Sequence, residues 1–538
     1  MDVNTHIEKV DSLLRRFNIR LDWNEEELKY LPKGPYVAVA KHLFGEIDHL
    51  MMLKLLGTKS AQVKMVTSEQ NWVTRQLREM IFPVELNDAD DDLFSQLKQF
   101  DIQAYLEEGG ALGVFPARHG KIFSTQEGKI IDRKWEPPVI RMVRDLRIPI
   151  IPISFHSREN RFLSFLKFNN PEYGAAELLA RFTEKENVVT VRIGQAISVK
   201  DQDYFVNNSR LGRFLRAKTN VLGTKLEVTQ FYNPFRRIEN VQDIAPAVSK
   251  EIIEEEMEKL RERGGLLLTQ NEFEIYIART SLIPNVMMEI GRLREITFRE
   301  VGEGTNKPRD VDEYDLYYEQ LIIWDKDAKQ IAGGYRIGKG DEIYKAYGIK
   351  GFYISSLFKI DKGFGIYLSK AVELGRSYII GEYQKKRLPL FLLWKGIVEF
   401  LSRNPQYRYL IGPLSISNQY SNVSRHLMIE FIKRHYFDYR LAKYISPRKP
   451  YKVKMKDVDT EILIQTMDGE IAKLDDIVEE IEPGHFRLPV LMKKYIKQNA
   501  RIISFNVDPN FSDVLDGLMI LDLHDVPDET IENLKKEK

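Results

Sequence analysis

The stretch YVAVAKHLFGEIDHLMMLKLL, residues 36–56, joins a strand-like run to a helix-like run through a glycine-containing turn. The run YVAVA carries β-branched residues at alternate positions, whereas DHLMMLKLL is long enough for about two helical turns. A strand that passes directly into a helix is the repeating unit of layered α/β domains. The stretch therefore predicts an α/β fold and places His42 and Asp48 on either side of the turn.

The same alternation of strands and helices continues along the chain. Further strand-like runs are GALGVFP, IPIIPISF and VVTVRIG, up to about residue 199. The charged run PAVSKEIIEEEMEKLRERGG is typical of a connecting helix that ends in glycine. A second α/β series then begins with NEFEIYIARTS. We predict two α/β domains, residues 1–235 and 266–538, with a helical connector at 236–265 and a C-terminal extension on the second domain.

Composition and charge exclude several classes of protein. A chain of 538 residues with 43% hydrophobic residues is long enough for two separate cores. A net charge of +1 argues against a dedicated nucleic-acid-binding protein. The absence of cysteine excludes disulfides, thiolate metal sites and cysteine nucleophiles. The nine histidines show no His-Glu-x-x-His spacing, so we predict no metal and no bound cofactor.

The chain carries no signal for crossing a membrane. Its longest apolar runs, such as LPLFLLWKGIVEFL, are shorter than the ~20 residues that span a bilayer. The N-terminal segment predicts an amphipathic helix with arginines beside its apolar face, and that face either packs on its own domain or lies on an anionic surface. No signal peptide is visible. We therefore expect a cytoplasmic protein, peripheral on the inner face of the cytoplasmic membrane.

The pair His42 and Asp48 has the residue types of a general base and its orienting carboxylate. Neutral imidazole accepts a proton from an attacking hydroxyl near neutral pH, and a carboxylate on its other nitrogen fixes the tautomer. Taken alone, the pair is equally compatible with an incidental polar turn. Two downstream segments, GVFPARHGKIFS and the Pro-x-x-Pro strand IPIIPISF, follow it in order.

This ordered set resembles the glycerolipid acyltransferase family. The resemblance implies that His42 is the base, that Asp48 orients it, and that the acceptor headgroup is held by Phe115, Pro116, Arg118 and Lys121. Five residues separate the histidine from the aspartate, the form that we associate with the aminolipid branch of that family. Two departures, Lys41 before the histidine and Ala117 in place of the usual glutamate, favour a non-phosphate acceptor or a weakened site. Arg118 and Lys121 are equally compatible with ordinary surface cations.

A second set of motifs lies between residues 270 and 450. It consists of Arg-x3-Phe (Arg294, Phe298), Asp-x2-Asp (Asp312, Asp315), Gly-x2-Arg (Gly333, Arg336) and Glu-x2-Arg-Ser (Glu373, Arg376, Ser377). The order resembles acyl-homoserine-lactone synthases and, more closely, the hemolysin-like ornithine-lipid N-acyltransferases of the GNAT superfamily. The resemblance implies a GNAT-like C-terminal fold and direct aminolysis of an acyl thioester.

The resemblance also implies roles for these residues. Glu373 is expected to be the base, and backbone N–H groups on a splayed strand polarise the thioester carbonyl. The basic residues Lys385, Lys386 and Arg387 before a helix supply positive potential for the donor's phosphate. QKKRLP replaces the usual glycine-rich pyrophosphate loop, which favours an acyl-carrier protein over coenzyme A as donor. The remaining substrate-binding candidates are Arg294, Phe298, Asp312, Asp315, Arg336, Arg376 and Ser377. The charged residues of the motif set equally suit a structural ion-pair network of Arg294, Asp312, Asp315, Arg336, Glu373 and Arg376.

Together the two motif sets resemble fused, bifunctional aminolipid synthases of bacteria. The resemblance implies N-acylation of a small amino acid by the C-terminal half and O-acylation of the resulting lyso-aminolipid by the N-terminal half. The expected partners are acyl carrier protein, these two small substrates and a membrane surface, with no nucleic acid. Two alternatives stay open: an N-acyltransferase with a decayed N-terminal lipid-docking domain, and a non-catalytic lipid-binding scaffold. The basic run RLAKYISPRKPYKVKMK suits a solvated surface, anionic lipid or the carrier protein.

Overall fold

The computed structural model divides the chain into two compact units. The first contains Met1–Phe231 and Met455–Phe486, and the second contains Tyr232–Lys454 and Arg487–Lys538. Both are layered from strands and helices, so the predicted α/β fold is confirmed. The structure describes residues 3–42, 47–67, 77–84, 93–98, 100–117, 122–124, 129–131, 135–157, 187–224, 241–452, 458–482, 486–508 and 514–530.

The strands of the first unit form one large sheet and one small ribbon. In chain order they are β1 (Ile19–Trp23), β2 (Tyr36–Ala40), β3 (Val63–Thr67), β4 (Ile81–Pro83), β5 (Ala111–Val114), β6 (Ile122–Ser124), β7 (Lys129–Ile131), β8 (Ile150–Ser157) and β9 (Asn187–Ile193). The sheet has the order β1-β9-β8-β2-β5-β3-β4 and is parallel except between β8 and β9, while β6 and β7 pair with each other.

The strands of the second unit form an eight-stranded sheet and a second ribbon. They are β10 (Leu266–Gln270), β11 (Phe273–Arg279), β12 (Glu319–Asp325), β13 (Gln330–Lys339), β14 (Phe358–Ile360), β15 (Ala371–Ile379), β16 (Tyr409–Ile416), β17 (Ile445–Pro447), β18 (Arg501–Asp508) and β19 (Val514–Asp522). The sheet order is β10-β11-β12-β13-β15-β16-β19-β18, and β14 pairs with β17.

The helices of the described residues cover the faces of both sheets. In chain order they are α1 (Val3–Arg16), α2 (Asp48–Leu56), α3 (Leu93–Leu97), α4 (Ile102–Glu107), α5 (Pro137–Asp145), α6 (Val199–Asp203), α7 (Asn208–Leu222), α8 (Lys250–Glu262), α9 (Pro284–Glu300), α10 (Gly340–Tyr347), α11 (Ile354–Leu357), α12 (Gly365–Leu368), α13 (Gly381–Gln384), α14 (Arg387–Arg403), α15 (Asn422–His435), α16 (Tyr439–Ala442), α17 (Thr460–Thr466), α18 (Ile471–Ile481) and α19 (Val490–Lys497).

Strand β2, which carries the run YVAVA, lies in the middle of the first sheet. β2 pairs on both sides with parallel strands, and each of its residues is buried. Parallel strands covered on both faces read as continuous apolar runs, as YVAVA does. The apolar face of α1 packs into the same core through Val10, Leu14 and Phe17, so this helix covers its own domain. Among the described residues, no helix combines the length and the apolarity needed to cross a membrane.

A late segment of the chain returns to the first unit. The backbone oxygen of Glu480 on α18 accepts a 2.8 Å hydrogen bond from Arg192 on β9, and its carboxylate pairs with Lys218 on α7. Arg192 also pairs with Glu27 at 2.7 Å. These groups are all buried. Residues 455–486, predicted as part of the domain 266–538, therefore belong to the first unit, where the carboxylate of Glu480 neutralises the buried Lys218.

In the second unit, β15 and β16 lie side by side and then separate. They pair in parallel from Ala371 to Glu373 of β15, and within the described residues neither strand pairs with the other beyond that point. Gly412 follows the last pair; a Cβ there would lie 2.1 Å from the backbone oxygen of Leu374. Glycine thus permits the close approach from which the two strands diverge.

Candidate active sites

In the first unit, the side chains of His42 and Asp48 are hydrogen-bonded and buried. His42 Nδ1 lies 3.0 Å from Asp48 Oδ2, with His42 at 9% exposure and Asp48 at 0%. An ionised carboxylate only accepts hydrogen bonds, so Nδ1 carries the proton and donates to Asp48. The other ring nitrogen, Nε2, is then the acceptor that a general base requires. The turn residues 43–46 lie outside the described residues.

The sheet topology brings Phe115 to this pair. Val39 of β2 and Val114 of β5 are paired neighbours, so the chain leaves both strands at the same edge of the sheet. The rings of His42 and Phe115 stack with centroids 4.4 Å apart. Active sites of open α/β sheets form at the carboxyl ends of the strands, where these residues lie. Of the other predicted headgroup residues, Pro116 is buried and its backbone oxygen accepts from Glu136 N, while Arg118 and Lys121 lie outside the described residues.

A second histidine, which the sequence analysis did not single out, completes this arrangement. The ring of His49 meets Phe115 edge to face at 5.3 Å, and its Nε2 lies 3.0 Å from Thr67 Oγ1 at the end of β3. The rings of His42, His49 and Phe115 form one cluster, in which the centroids of the two histidines lie 5.9 Å apart. The aromatic contact restricts the orientation of the His42 ring in addition to its hydrogen bond to Asp48.

In the second unit, a cavity of about 350 Å³ opens where β15 and β16 diverge. Two of the predicted residues on β15, Arg376 and Ser377, line it, and so does Phe298 of α9. Pro413, Leu414 and Ser415 contribute from β16. A gap between two strands leaves backbone groups without a ladder partner, and such groups can bind a carbonyl group placed between the strands.

A backbone bulge shapes the β15 side of the cavity. The register between β13 and β15 shifts at this point, and Arg376 has a φ of 51°. A non-glycine residue in this left-handed region carries about 1–3 kcal/mol of strain, so surrounding contacts must stabilise it. Arg376 Nε lies 2.8 Å from Asp310 Oδ2 and its Nη2 lies 3.4 Å from Asp312 Oδ2. These ion pairs hold the bulge.

Four predicted substrate-binding residues form a buried ion network outside the cavity lining. Arg294 donates to Asp315 at 3.0 Å and to Gln320 at 2.6 Å. Arg336 contacts Asp312 at 2.5 Å and Asp315 at 3.4 Å. These side chains neutralise one another, so for these four residues the geometry favours a structural ion-pair network over substrate binding. Their role here is to position Arg376 through the shared Asp312.

The predicted base, Glu373, is also outside the cavity lining. Its side chain is 1% exposed and accepts hydrogen bonds from the Tyr318 hydroxyl, from Tyr353 N at 3.2 Å and from Ile354 N at 2.8 Å. Burial raises the pKa of Glu373 to about 7. The carboxylate caps α11 and fixes Tyr353, whose side chain does line the cavity. The geometry therefore supports a positioning role for Glu373 and not direct contact with an amine.

Three carboxyl groups that the sequence analysis did not select line the cavity: Glu303, Asp508 and Asp516. Glu303 is partly accessible and hydrogen-bonds to the hydroxyl of Ser415. Burial against the wall raises the pKa of Glu303 to about 7. Burial, with the charges of Asp508 and Glu303, raises the pKa of Asp516 well above its usual range. Acidic residues within otherwise apolar strands were the available sequence signal for Asp508 and Asp516.

The predicted donor-binding residues lie at the start of α14. Lys385 and Lys386 are exposed, and Arg387 is the first residue of the helix. The ammonium group of Lys386 lies 4.7 Å from the centroid of the Tyr383 ring. A helix N-terminus with adjacent lysines attracts anions, as the prediction requires. Within the described residues, no group of three or more His, Asp or Glu side chains is arranged to hold a metal ion.

One domain family and two known proteins match parts of this chain. The acetyltransferase (GNAT) domain family matches residues 293–394, which include Arg294, Glu373 and Arg376. Glycine N(alpha)-acyltransferase of Phocaeicola vulgatus is 31% identical over 296 residues, which cover 52% of this chain and 89% of that protein. Glycine N(alpha)-acyltransferase of Bacteroides thetaiotaomicron is 30% identical over 296 residues, covering 52% of this chain and 86% of that protein.

The fold of the second unit and these matches define an acyltransferase with a GNAT domain, which confirms the predicted enzyme class and C-terminal fold. The chain belongs to the family of the glycine N(alpha)-acyltransferases. About half of the chain lies outside each of the two alignments.

Proposed function

We propose that this chain synthesises a doubly acylated aminolipid from glycine. The second unit transfers a 3-hydroxyacyl group to the glycine amine, and the first unit then acylates the 3-hydroxyl group. The observation that carries the proposal is the buried His42–Asp48 hydrogen bond beside Phe115, on the same chain as a GNAT domain. A base for hydroxyl acylation is of no use to an enzyme that acylates only amines.

Glu303 is the proposed base for the first reaction. The amine nitrogen attacks the thioester carbonyl, a C–N bond forms, and the C–S bond breaks to release the thiol of the donor. The ammonium proton passes to Glu303 and from there to the departing sulfur, and the raised pKa of about 7 suits a base that works near neutral pH. Backbone amides along the β15 bulge, at Arg376 and Ser377, are placed to stabilise the negative charge on the thioester oxygen.

His42 is the proposed base for the second reaction. Its Nε2 takes the proton of the 3-hydroxyl group while that oxygen attacks a second acyl thioester, and the proton then leaves with the departing thiol. Asp48 stabilises the imidazolium that forms in between. Ala117 stands in the turn after β5 where the resembling family has a glutamate, which favours an acceptor whose anion is a carboxylate over one with a phosphate.

The amino acid and the donor follow from separate observations. The two relatives are named for glycine, which favours glycine as the headgroup. The lysines before α14 and the absence of a glycine-rich loop favour an acyl-carrier protein as donor. Since the lyso-lipid is amphiphilic, we place the enzyme on the cytoplasmic face of the membrane as a peripheral protein.

Mass spectrometry of lipids from a host that lacks aminolipids tests the proposal. The native chain is expected to yield N-acylated, O-acylated glycine. Lyso-lipid alone would support an N-acyltransferase whose first unit only docks lipid, and the absence of both lipids would support a non-catalytic scaffold. A His42→Ala variant should accumulate the lyso-lipid, whereas Glu303→Gln should produce neither; Glu300→Gln, an exposed glutamate close to Glu303, is the matched control.

A further inference from the structure

Large apolar side chains of the second unit protrude into solvent near α10 and α12. Leu316 is 77% exposed, Ile366 68% and Tyr347 55%. They belong to one patch, because the rings of Tyr317 and Tyr347 lie 4.7 Å apart and the Tyr344 ring abuts Gly365. Single exposed apolar residues need no explanation, but a group of them marks an interaction site.

Lysines without ion-pair partners surround this patch. Lys345, Lys350 and Lys362 are exposed, and none of them forms an ion pair with any described residue. The acidic side chains nearby are engaged within the unit: Glu342 pairs with Arg279 at 3.0 Å, and Asp361 accepts from Gly363 N at 2.7 Å. Glu313, Asp341 and Asp361 are exposed and form no ion pair with a described residue, so the three lysines give a net positive charge only together with Lys359 and Lys443, which are exposed on the adjoining surface.

The described part of the basic run, residues 440–452, extends the same surface. β17 within this run pairs with β14, so that Lys359 lies opposite Ser446 with both exposed, whereas Phe358 and Ile445 are buried. The ring of Tyr444 lies against Gly363, just before α12. The ammonium group of Lys443 lies 4.9 Å from the centroid of that ring. Tyr353, which lines the cavity, lies between α10 and α12 along the chain.

We propose that this surface, formed by Leu316, Tyr344, Tyr347 and Ile366 with Lys345, Lys350, Lys359, Lys362 and Lys443, docks the second unit on a bilayer that contains anionic lipid. Leucine and isoleucine enter the boundary of the acyl chains, tyrosines lie at the headgroup level, and lysines contact the lipid phosphates. The inference rests on the proposed function in one respect: an N-acylated product with a long chain has to reach the membrane.

Sedimentation with vesicles tests this surface without any substrate. The full chain is expected to bind vesicles of phosphatidylcholine with phosphatidylglycerol and to bind pure phosphatidylcholine weakly. Lys345→Gln with Lys362→Gln should lower partitioning about 30-fold, equivalent to about 1 kcal/mol per lysine. Leu316→Ser with Ile366→Ser should also release the protein. Matched controls are Lys326→Gln with Lys497→Gln and the single change Met288→Ser, at exposed positions on other elements.

Native-like vesicle binding by both face variants would overturn the proposal. If the face variants bind vesicles like the native chain but lose turnover of acyl-carrier-protein thioesters, the proposal is also overturned, because the surface then docks the acidic carrier protein. Vesicle binding requires no catalysis. If the native chain makes no aminolipid but still binds vesicles through this face, the proposed function is refuted and the docking surface is supported. The Glu303→Gln variant should bind vesicles like the native chain.

Discussion

Asp310 holds the guanidinium group of Arg376 at 2.8 Å, and Arg376 is the residue whose positive φ forms the bulge at the divergence of β15 and β16. The two side chains are 2% and 10% exposed. The ion pair thus connects a buried charge to the strained backbone that lines the cavity. The first prediction tests this connection.

Replacing Asp310 with alanine should lower the free energy of unfolding by about 3–5 kcal/mol, because it leaves the Arg376 charge buried with less compensation. The bulge should relax, and N-acyl transfer should fall with it. Chemical denaturation and single-turnover kinetics measure the two effects. Asp327→Ala, in an exposed turn, is the control, and unchanged transfer in the Asp310 variant would separate the bulge from catalysis.

Replacing His42 with alanine should reduce O-acylation of purified lyso-lipid about 10²–10⁴-fold, the usual contribution of a general base. N-acylation should be unchanged, since this histidine belongs to the first unit. Separate assays with glycine and with lyso-lipid as acceptor distinguish the two reactions. His524→Ala, at an exposed histidine, is the control. Full O-acylation by the His42→Ala variant would show that His42 takes no part in the reaction.

The rate of N-acylation should rise with pH through about 7 and then level off. The Glu303 carboxyl has its pKa raised to about 7, and only the deprotonated form accepts the amine proton. The Glu303→Gln change should abolish this rise and lower kcat/KM about 10²–10⁴-fold without lowering Tm. A retained pH profile in the variant would assign the titration to another group.

Replacing Glu373 with alanine should affect stability before it affects chemistry. The change leaves the Tyr318 hydroxyl and the Ile354 N–H without their acceptor, while Tyr353 N keeps its 3.1 Å hydrogen bond to the Tyr318 hydroxyl. Each unsatisfied buried donor costs about 1–3 kcal/mol. Tm should therefore drop in this variant and stay constant in Glu303→Gln. A stable Glu373→Ala protein that has lost only turnover would instead restore Glu373 as the base.

Local patterns in the sequence predicted much of the molecule. Strand-to-helix alternation predicted the α/β fold, and the order of motifs predicted a GNAT domain and an acyltransferase. The pairing of His42 with Asp48 followed from their closeness along the chain, and the resemblance to the glycerolipid acyltransferases placed Phe115 in the same predicted site. Arg376 and Ser377 lie in the cavity because they are on the strand that the motif indicated.

Other features of the site depended on contacts between distant segments. Glu303, Asp508 and Asp516 come from the end of a helix and from two strands about 200 residues further along, so no spacing relates them. Glu373 has the residue type of a base, but its carboxylate accepts from Tyr353 N and Ile354 N at the start of α11 and does not line the cavity. The return of residues 455–486 to the first unit equally depends on pairing with Lys218 and Arg192.

The sequence by itself determined the fold class, the order of the two motif sets and the histidine–aspartate pair, because these follow from periodicity and from residues close in the chain. Tertiary structure alone decided which carboxyl group faces the cavity and which is buried as a cap. It also decided where the second unit begins and ends. The physical reason is that the burial and partners of a charged group depend on packing between remote segments, which sets both its pKa and its access to substrate.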